Sequence, residues 1–401
     1  MIMAALVATL VGYGSSIIIV LSAAQALGAS PAQTESWVLA LCIAKAIGSA
    51  FLSWRHRLPM VLAWSTPGAA LIAASQSLSM EEGAAAFIFA GIMVALTGLI
   101  GPLGRLIARI PDGIAAAMLA GVLLPFCLKG ALAAEAAPLL VLPMLATFAL
   151  VRLFNPALAV LAALAIGLAL AFGLGAARPD SLALSLPRAE LLLPDWSLSV
   201  VIGLGLPLYL VTMASQNLPG FATMRAAGYE PPVRSALGVT GSLSALAGFF
   251  GAHSISMAAI TAAICMGPDV HPDPKQRWKV GLAYGAMWLI LGLAGPVLLS
   301  FLTALPGEVM AALVALALLG PLTGALTTAM AHPEQRFSAA MTVTVTASGL
   351  ALFGIGAAFW GLVAGLLFYG MEQLKNCPPA RLNRRGATKI RTEPRLRPER
   401  Q

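Results

Sequence analysis

Apolar runs long enough to cross a lipid bilayer recur along almost the whole chain, and they limit its possible folds more than any other feature. A bilayer core needs about 20 apolar residues per helix. Inside it every backbone polar group must be bonded within the protein, so helices are expected. The composition agrees, because 59% of the 401 residues are hydrophobic and only 10% are charged. The sequence therefore predicts an all-α polytopic membrane protein.

Fourteen transmembrane segments are predicted from these runs. They lie near residues 2–27, 35–53, 59–75, 82–101, 111–128, 137–152, 156–174, 198–217, 232–249, 252–266, 279–303, 306–329, 335–353 and 356–373. The third and tenth are too short and too polar at one end to be plain helices. Each begins with a β-branched or aromatic stretch and becomes Ala-rich only after Ser and Thr residues. We predict two broken helices that contain short extended pieces.

The distribution of Lys and Arg predicts the orientation of the chain. With both termini in the cytoplasm, nearly all loop cations lie inside, and only Lys129, Arg178 and Arg188 lie outside, as the positive-inside rule requires. The basic tail, 374–401, is expected to rest near anionic lipid headgroups rather than to bind nucleic acid. The four cysteines are isolated, so no disulfide, metal or cofactor is expected.

The chain also repeats itself at an offset of about 190–195 residues. Three motifs recur: Gly12-Tyr-Gly14 as Gly203-Leu-Gly205, Gly98-x-x-Gly101-Pro102 as Gly292-x-x-Gly295-Pro296, and the segment from Pro111 as the segment from Pro306. Seven spans per half is an odd number, so the second half must insert upside down. The predicted repeats are 1–174 and 198–373, joined by a periplasmic loop, 175–197.

This offset makes the two broken helices symmetry mates, with Ser65 corresponding to Ser256. Ser65 or Thr66 is the expected N-cap of the first helix, and Ser254 or Ser256 that of the second. Their free N–H groups could hold an anion at mid-membrane depth. Alternatively, these Ser and Thr side chains only satisfy backbone groups while Gly and Ala permit close packing.

Neutral hydrogen-bonding groups near these helix ends favour an anionic solute. The candidate substrate-binding residues are Tyr13, Trp64, Ser65, Thr66, Gly68, Gln216, His253, Ser254, Ile255 and Ser256. Trp64 either stacks on an aromatic ring of the solute or fills core volume.

Three residues are candidates for proton coupling. His253 lies where the second broken helix begins and could titrate near neutral pH; a permanently neutral, hydrogen-bonded histidine is the alternative. Asp112 and Glu308 begin spans five and twelve, where they are either proton carriers or N-terminal interface residues.

Four longer strings in the chain are specific: Pro59-Met-Val-Leu-Ala-Trp-Ser-Thr-Pro-Gly-Ala-Ala-Leu, Gln216-Asn-Leu-Pro-Gly-Phe-Ala, Gly251-Ala-His-Ser-Ile-Ser-Met-Ala-Ala-Ile-Thr and His271-Pro-Asp-Pro. Together they resemble the benzoate/proton symporter (BenE) family. The resemblance covers nearly the whole chain before the tail. It implies proton-coupled uptake of benzoate or a similar aromatic monocarboxylate across the bacterial inner membrane, with another organic or inorganic anion as the alternative substrate.

The family is in turn distantly similar to nucleobase/proton symporters and sulfate-type anion transporters. That similarity implies a core domain from 1–101 and 198–303, a gate domain from 111–174 and 306–373, and a homodimer. In the nucleobase relatives, glutamates on spans eight and ten contact the substrate. This chain has Gln216 and His253 at those places, which suits a carboxylate. An enzyme is not expected, because neither a cluster of Asp, Glu and His nor a nucleophile motif is found.

Overall fold

The computed structural model describes residues 1–75, 78–101, 111–156, 158–177, 186–353 and 355–376. Residues 178–185 of the predicted connecting loop, Pro102 of the repeated Gly-Pro motif, and the predicted tail beyond Asn376 lie outside the described residues. Within the described part the chain is mostly helical.

The elements follow the predicted spans closely. In the first half they are α1 (Ile2–Gly14), α2 (Ile17–Ala26), α3 (Pro31–His56), β1 (Leu62–Trp64), α4 (Thr66–Ala73), α5 (Met80–Leu99), α6 (Asp112–Ala136), α7 (Pro138–Phe154) and α8 (Ala159–Gly173). In the second half they are α9 (Leu198–Ala226), α10 (Val233–Gly248), β2 (Ile255–Met257), α11 (Ile260–Met266), α12 (Lys279–Leu293), α13 (Gly295–Thr303), α14 (Gly307–Ala329), α15 (Arg336–Ala347) and α16 (Ala357–Asn376). Single 3₁₀ turns lie at Pro274–Gln276 and Pro333–Gln335.

Local sequence signals set several of these boundaries. Ser30 caps α3 and Ser79 caps α5, each in a capping box with Gln33 or Glu82 three residues later, which satisfies two backbone donors at once. The helix α3 ends at His56, and its C-cap, Arg57, adopts the left-handed conformation with φ 56°.

Some span boundaries differ from the prediction. The fifth span was expected to end at 128, but α6 continues to Ala136 and carries Lys129 within it. The first span is interrupted at Ser15 and Ser16, whose hydroxyls bond the carbonyls of Val11 and Gly12. Such back-bonding bends helices.

Seven helical stretches of the described chain are long and apolar enough to cross a membrane, with α1 and α2 counted together. The pair α12 and α13, bent by 63°, makes an eighth if it is one span. The protein is thus a multi-pass membrane protein, whereas the count of fourteen and the inverted repeat stay predictions.

Close helix pairs surround the two broken helices. The helix α3 packs along α12, α5 along α10, and α6 along α14 and α15. Glycines allow the first two contacts: a Cβ on Gly285 would lie 2.8 Å from the Ala46 carbonyl oxygen, and a Cβ on Gly241 would overlap the backbone nitrogen of Ala95. Small residues at helix contacts let backbones approach in a membrane.

Candidate substrate-binding site

The two broken helices meet through their extended pieces. Strands β1 and β2 pair antiparallel, with Leu62 opposite Met257 and Trp64 opposite Ile255. The pairing continues beyond the strands, since the Ser65 N–H donates to the Ser254 carbonyl at 2.9 Å. Each helix follows its own strand, so α4 and α11 begin at opposite ends of this pair. Only the short strand pair separates their positive N-terminal ends.

Ser65 is the N-cap of α4, as one of the two expected caps. Its Oγ accepts the Gly68 N–H at 3.1 Å and the Thr212 hydroxyl at 3.0 Å. Thr66, the other candidate, is the first helical residue and is half-buried. A Cβ on Gly68 would lie 2.6 Å from Leu208 and 2.7 Å from the Ser65 Oγ, so only glycine fits this turn.

The prediction of the N-cap of the second helix is wrong. Neither Ser254 nor Ser256 caps α11, because the chain stays extended through Met257 and the N-cap position is Ala259, which provides no side-chain bond. Ser256 lies in the strand, where its hydroxyl reaches the Ala63 carbonyl at 3.4 Å.

Side chains from two other helices hold β2 extended. The Ser244 Oγ of α10 accepts the Ile255 N–H at 2.9 Å, and the Asn217 Oδ1 of α9 accepts the Met257 N–H at 3.0 Å. These bonds compete with continuation of the helix, because they satisfy the backbone donors of an extended segment in place.

Two buried hydroxyls near the strand pair have no hydrogen-bond partner within the described residues: Tyr13 Oη and Ser254 Oγ. Tyr13 is 7% exposed and Ser254 fully buried. An unsatisfied buried hydroxyl is costly, and such groups in a native structure call for an explanation. Both are therefore available to bind a polar solute.

His253 is fully buried and bonded at both ring nitrogens. Its Nδ1 accepts the Trp37 indole N–H at 3.0 Å, and its Nε2 lies 3.2 Å from the Ser65 carbonyl oxygen. Because a carbonyl only accepts, Nε2 must carry the proton. This is a neutral tautomer that joins α3 to the cap of α4. A second proton, on Nδ1, would face the Trp37 N–H.

Lys45 of α3 is a residue that the sequence analysis missed. It is 1% exposed, and its Nζ lies 3.0 Å from the Trp288 ring centroid and 4.0 Å from that of Trp64. The Trp64 indole N–H donates to the Ser16 Oγ at 2.7 Å. Trp64 and Trp288 lie 5.1 Å apart, and the Tyr13 ring lies 6.0 Å and 6.1 Å from them. We call Tyr13, Trp64 and Trp288 the aromatic cluster.

The spacing along α3 could have pointed to Lys45. Multiples of four residues separate it from Trp37, Ser49 and Ser53, and residues at this spacing form one inclined stripe on a helix surface. Along it, Ser49 accepts the Leu62 N–H at 3.0 Å and Ser53 donates to the Met60 carbonyl at 2.8 Å. The stripe thus follows the first broken helix. An ionisable residue inside an apolar span is a functional candidate by default.

Gln216 is not bonded to either broken helix by any hydrogen bond between described residues. It is half-buried in a π-helical turn, Met213–Asn217, of α9. Its neighbour Asn217 makes the bond to β2 instead. Single π turns inside helices are common at functional sites, so the place of Gln216 beside the site remains a prediction.

Asp112 and Glu308 occupy equivalent places at helix ends. Each lies in the first turn of its helix: Asp112 directly follows Pro111 at the start of α6, and Glu308 comes two residues after Pro306 at the start of α14. Asp112 is exposed and Glu308 half-buried. The structure does not bring either of them together with the residues around the strand pair, and acidic residues are favourable in a first helical turn.

A cavity of about 480 Å³ lies at the C-terminal end of α4. Ala73, Gln25 and Lys129 line it together with residues from the first turns of α14. It therefore lies where α2 and α4 meet α6 and α14. The described residues contain no group of three His, Cys, Asp or Glu that could hold a metal ion.

Paired broken helices with buried polar groups, enclosed by apolar helices, define a membrane transporter. The solved structures agree on the fold. SLC26A9 matches with a TM-score of 0.63 at 13% identity, over 93% of this chain and 65% of that one. The transmembrane domain of the cyanobacterial bicarbonate transporter BicA matches with 0.56 at 13% identity, over 94% and 97%.

The chain belongs to the BenE family, whose model, described as benzoate membrane transport protein, matches residues 1–371. It is 39% identical over 369 residues to the inner membrane protein YdcO of Escherichia coli, covering 92% of this chain and 94% of that one. It is 36% identical over 367 residues to the benzoate membrane transport protein of Acinetobacter baylyi, covering 91% and 93%. The resemblance seen in the sequence is confirmed, and the protein is a transporter rather than an enzyme.

Proposed function

We propose that the protein takes up benzoate, or a similar aromatic monocarboxylate, together with a proton across the bacterial inner membrane. The observation that carries this proposal is the position of the aromatic cluster directly beside the capped N-terminus of α4. Trp64 immediately precedes Ser65, so apolar ring faces adjoin the first turn of α4. A benzoate ion has the same two parts, a flat ring and a carboxylate. The similarity to a benzoate membrane transport protein supports the same substrate.

In this proposal the carboxylate lies between the N-termini of α4 and α11. The carboxylate is surrounded by residues of the two broken helices: Ser65, Thr66, Gly68, Ser254, Ile255 and Ser256. The ring of the substrate contacts Tyr13 and Trp64. The side-chain amide of Gln216, on α9, donates a hydrogen bond to the substrate. His253 fixes the Ser65 carbonyl, and so the cap, in place. Proton transfer to its Nδ1 requires the Trp37 indole to turn away. Asp112 and Glu308 are the alternative candidates for proton coupling.

The proposed architecture has fourteen spans in two inverted repeats. The packing supports this. An offset of seven spans relates α3 to α10 and α5 to α12, and the pair α3 and α12 packs together just as the pair α10 and α5 does. The same offset relates β1 to β2 and α6 to α14, and the two members of each of these pairs are in contact. The proposed core comprises 1–101 and 198–303, the gate 111–174 and 306–373, with both termini cytoplasmic and the protein a homodimer.

Uptake of labelled benzoate into proteoliposomes tests the function. An inward proton gradient should drive accumulation above the external concentration, and a protonophore should abolish it. Liposomes without protein give the background for the permeant acid. Substituted benzoates should compete, whereas bicarbonate and sulfate should not.

Transport of a different anion is the second candidate function. The fold favours it, because the bicarbonate transporter BicA shares this fold over nearly the whole chain. Uptake of labelled bicarbonate or sulfate without uptake of benzoate would replace the first proposal by this one.

A further inference from the structure

Lys45 is a buried, titratable side chain. No acidic side chain of the described chain lies within ion-pair distance of its Nζ. Nor does any hydrogen bond between described residues reach this atom. Within the described chain its Nζ contacts the faces of two indole rings, those of Trp64 and Trp288. An ammonium in an apolar environment is costly unless it is paired, and cation–π contacts offset only part of that cost.

The environment of Lys45 joins it to the proposed carboxylate site. Trp64, which covers its Nζ, is the residue before the α4 cap. Trp37, two helical turns earlier on the same stripe of α3, bonds His253 at the start of the second broken helix. The unpartnered Tyr13 hydroxyl belongs to a ring that contacts both indoles. A cation and an unsatisfied donor therefore adjoin the place proposed for an aromatic anion.

We propose that Lys45 takes up the co-transported proton at Nζ and, as an ammonium, pairs with the carboxylate of the transported anion. This inference rests on the proposed function. One proton binds as one carboxylate binds, and both leave on the other side of the membrane, so the loaded site gains no net charge. An ion pair enters an apolar interior more readily than either ion alone. Each ligand must then strengthen the binding of the other by the same factor.

The other titratable side chains around Lys45 in the described chain are thiols and phenols, which are neutral when protonated, and one imidazole, which is neutral when hydrogen-bonded as it is here. These groups are Cys42 on the same helix, Tyr13 on α1, His253 before β2, and Tyr284 on α12, with Cys265 on α11 behind Tyr284. None is a carboxylate, so none competes with the solute for the ammonium. His253 uses both ring nitrogens in the neutral tautomer, which leaves Lys45 as the group that can change charge in place.

Two substitutions separate a charge-pairing role from a structural one. Lys45→Met keeps the length and apolar body of the side chain but removes the charge. Lys45→Arg keeps a cation that does not deprotonate in proteins. Lys279→Met, which removes an exposed lysine at the start of α12, is the matched control. Benzoate affinity is measured on purified protein at pH 6 and pH 8, and uptake in proteoliposomes with an inward proton gradient.

In Lys45→Met we expect benzoate affinity to fall about 100-fold at pH 6 and by less at pH 8, where the parent has itself lost affinity, with thermal stability kept. In Lys45→Arg we expect binding and counterflow exchange with an affinity that no longer changes between the two pH values, and no accumulation under the gradient. The control should match the parent in every assay. Affinity like that of the parent in Lys45→Met, or gradient-driven accumulation in Lys45→Arg, would overturn the inference. A parent protein that does not transport benzoate refutes the proposed function instead.

Discussion

At the scale of single residues, the two serines that flank the strand pair, Ser65 and Ser254, have opposite bonding. Ser65 accepts two hydrogen bonds and holds the first turn of α4, whereas the Ser254 hydroxyl has no partner in the described chain. A satisfied group contributes to stability, while an unsatisfied one costs stability unless a ligand pairs with it. Their alanine variants should therefore differ.

Ser65→Ala should lower both thermal stability and benzoate affinity, since it removes the cap as well as a donor. A lost cap costs about 1 kcal/mol. Ser254→Ala should lower only the affinity, by about 1–2 kcal/mol, the usual contribution of a hydrogen bond to a charged partner. Thermal unfolding in detergent and benzoate titration measure the two quantities, with the exposed Ser348→Ala as control. Unchanged affinity in Ser254→Ala would show that its hydroxyl does not reach the solute.

Sequence reasoning identified Ser65 and missed Lys45, and the difference has a physical reason. Ser65 stands before Thr-Pro-Gly, and Pro in the first turn of a helix is a local signal. Lys45 has no local signal beyond its charge, because the residues that cover it, Trp64 and Trp288, come from other parts of the chain. Only the stripe that it shares with Trp37 and Ser49 pointed inward.

At the scale of elements, glycines set how closely the supporting helices approach. Gly91 of α5 and Gly241 of α10 face each other across one contact, and a Cβ on either would overlap backbone atoms of the other helix. Backbone atoms cannot turn aside as a side chain can. Ser244, which holds β2, lies one turn further along α10, so this contact also positions the site.

Gly241→Ala should destabilise the protein by about 1–3 kcal/mol or more, the usual cost of overpacking. Gly238→Ala, on the same helix, is its matched control, because a Cβ there meets open space. Thermal unfolding of the two purified variants gives the comparison. Equal stability would mean that α5 and α10 separate at little cost.

The broken helices show how far pattern alone predicts an element. Both breaks and both extended pieces were expected from the sequence and are observed. The cap of α11 was not, because the length of β2 depends on bonds from Asn217 and Ser244. Those residues lie on helices whose distance from β2 the sequence does not specify.

At the scale of the whole molecule, a positively charged side chain lines the cavity at the C-terminal end of α4. The described lining of the 480 Å³ cavity includes one cation, Lys129, which the predicted topology places on the outer side. A cation in a cleft raises the local concentration of an anionic solute. The sequence predicted the side of the membrane for this lysine but not that α6 extends far enough to carry it into the cavity.

Lys129→Glu should slow the initial rate of benzoate uptake several-fold at low ionic strength, and the difference should shrink as salt screens the charge. Arg188→Glu changes the net charge equally at an exposed position outside the cavity. Initial rates at low and high salt distinguish the two. If Arg188→Glu slows uptake as much, the effect comes from net charge and not from the cavity.

The pairing of β1 with β2 joins residues 193 positions apart, as between Ala63 and Ser256. During synthesis, at roughly 5–20 residues per second, the first strand is complete about 10–40 s before its partner leaves the ribosome. Its backbone groups would be costly in lipid over that interval. The nascent first half must therefore wait in a hydrated or protein-lined environment until the second half arrives. The need for such an environment during membrane insertion thus follows from the same hydrogen bonds that build the site.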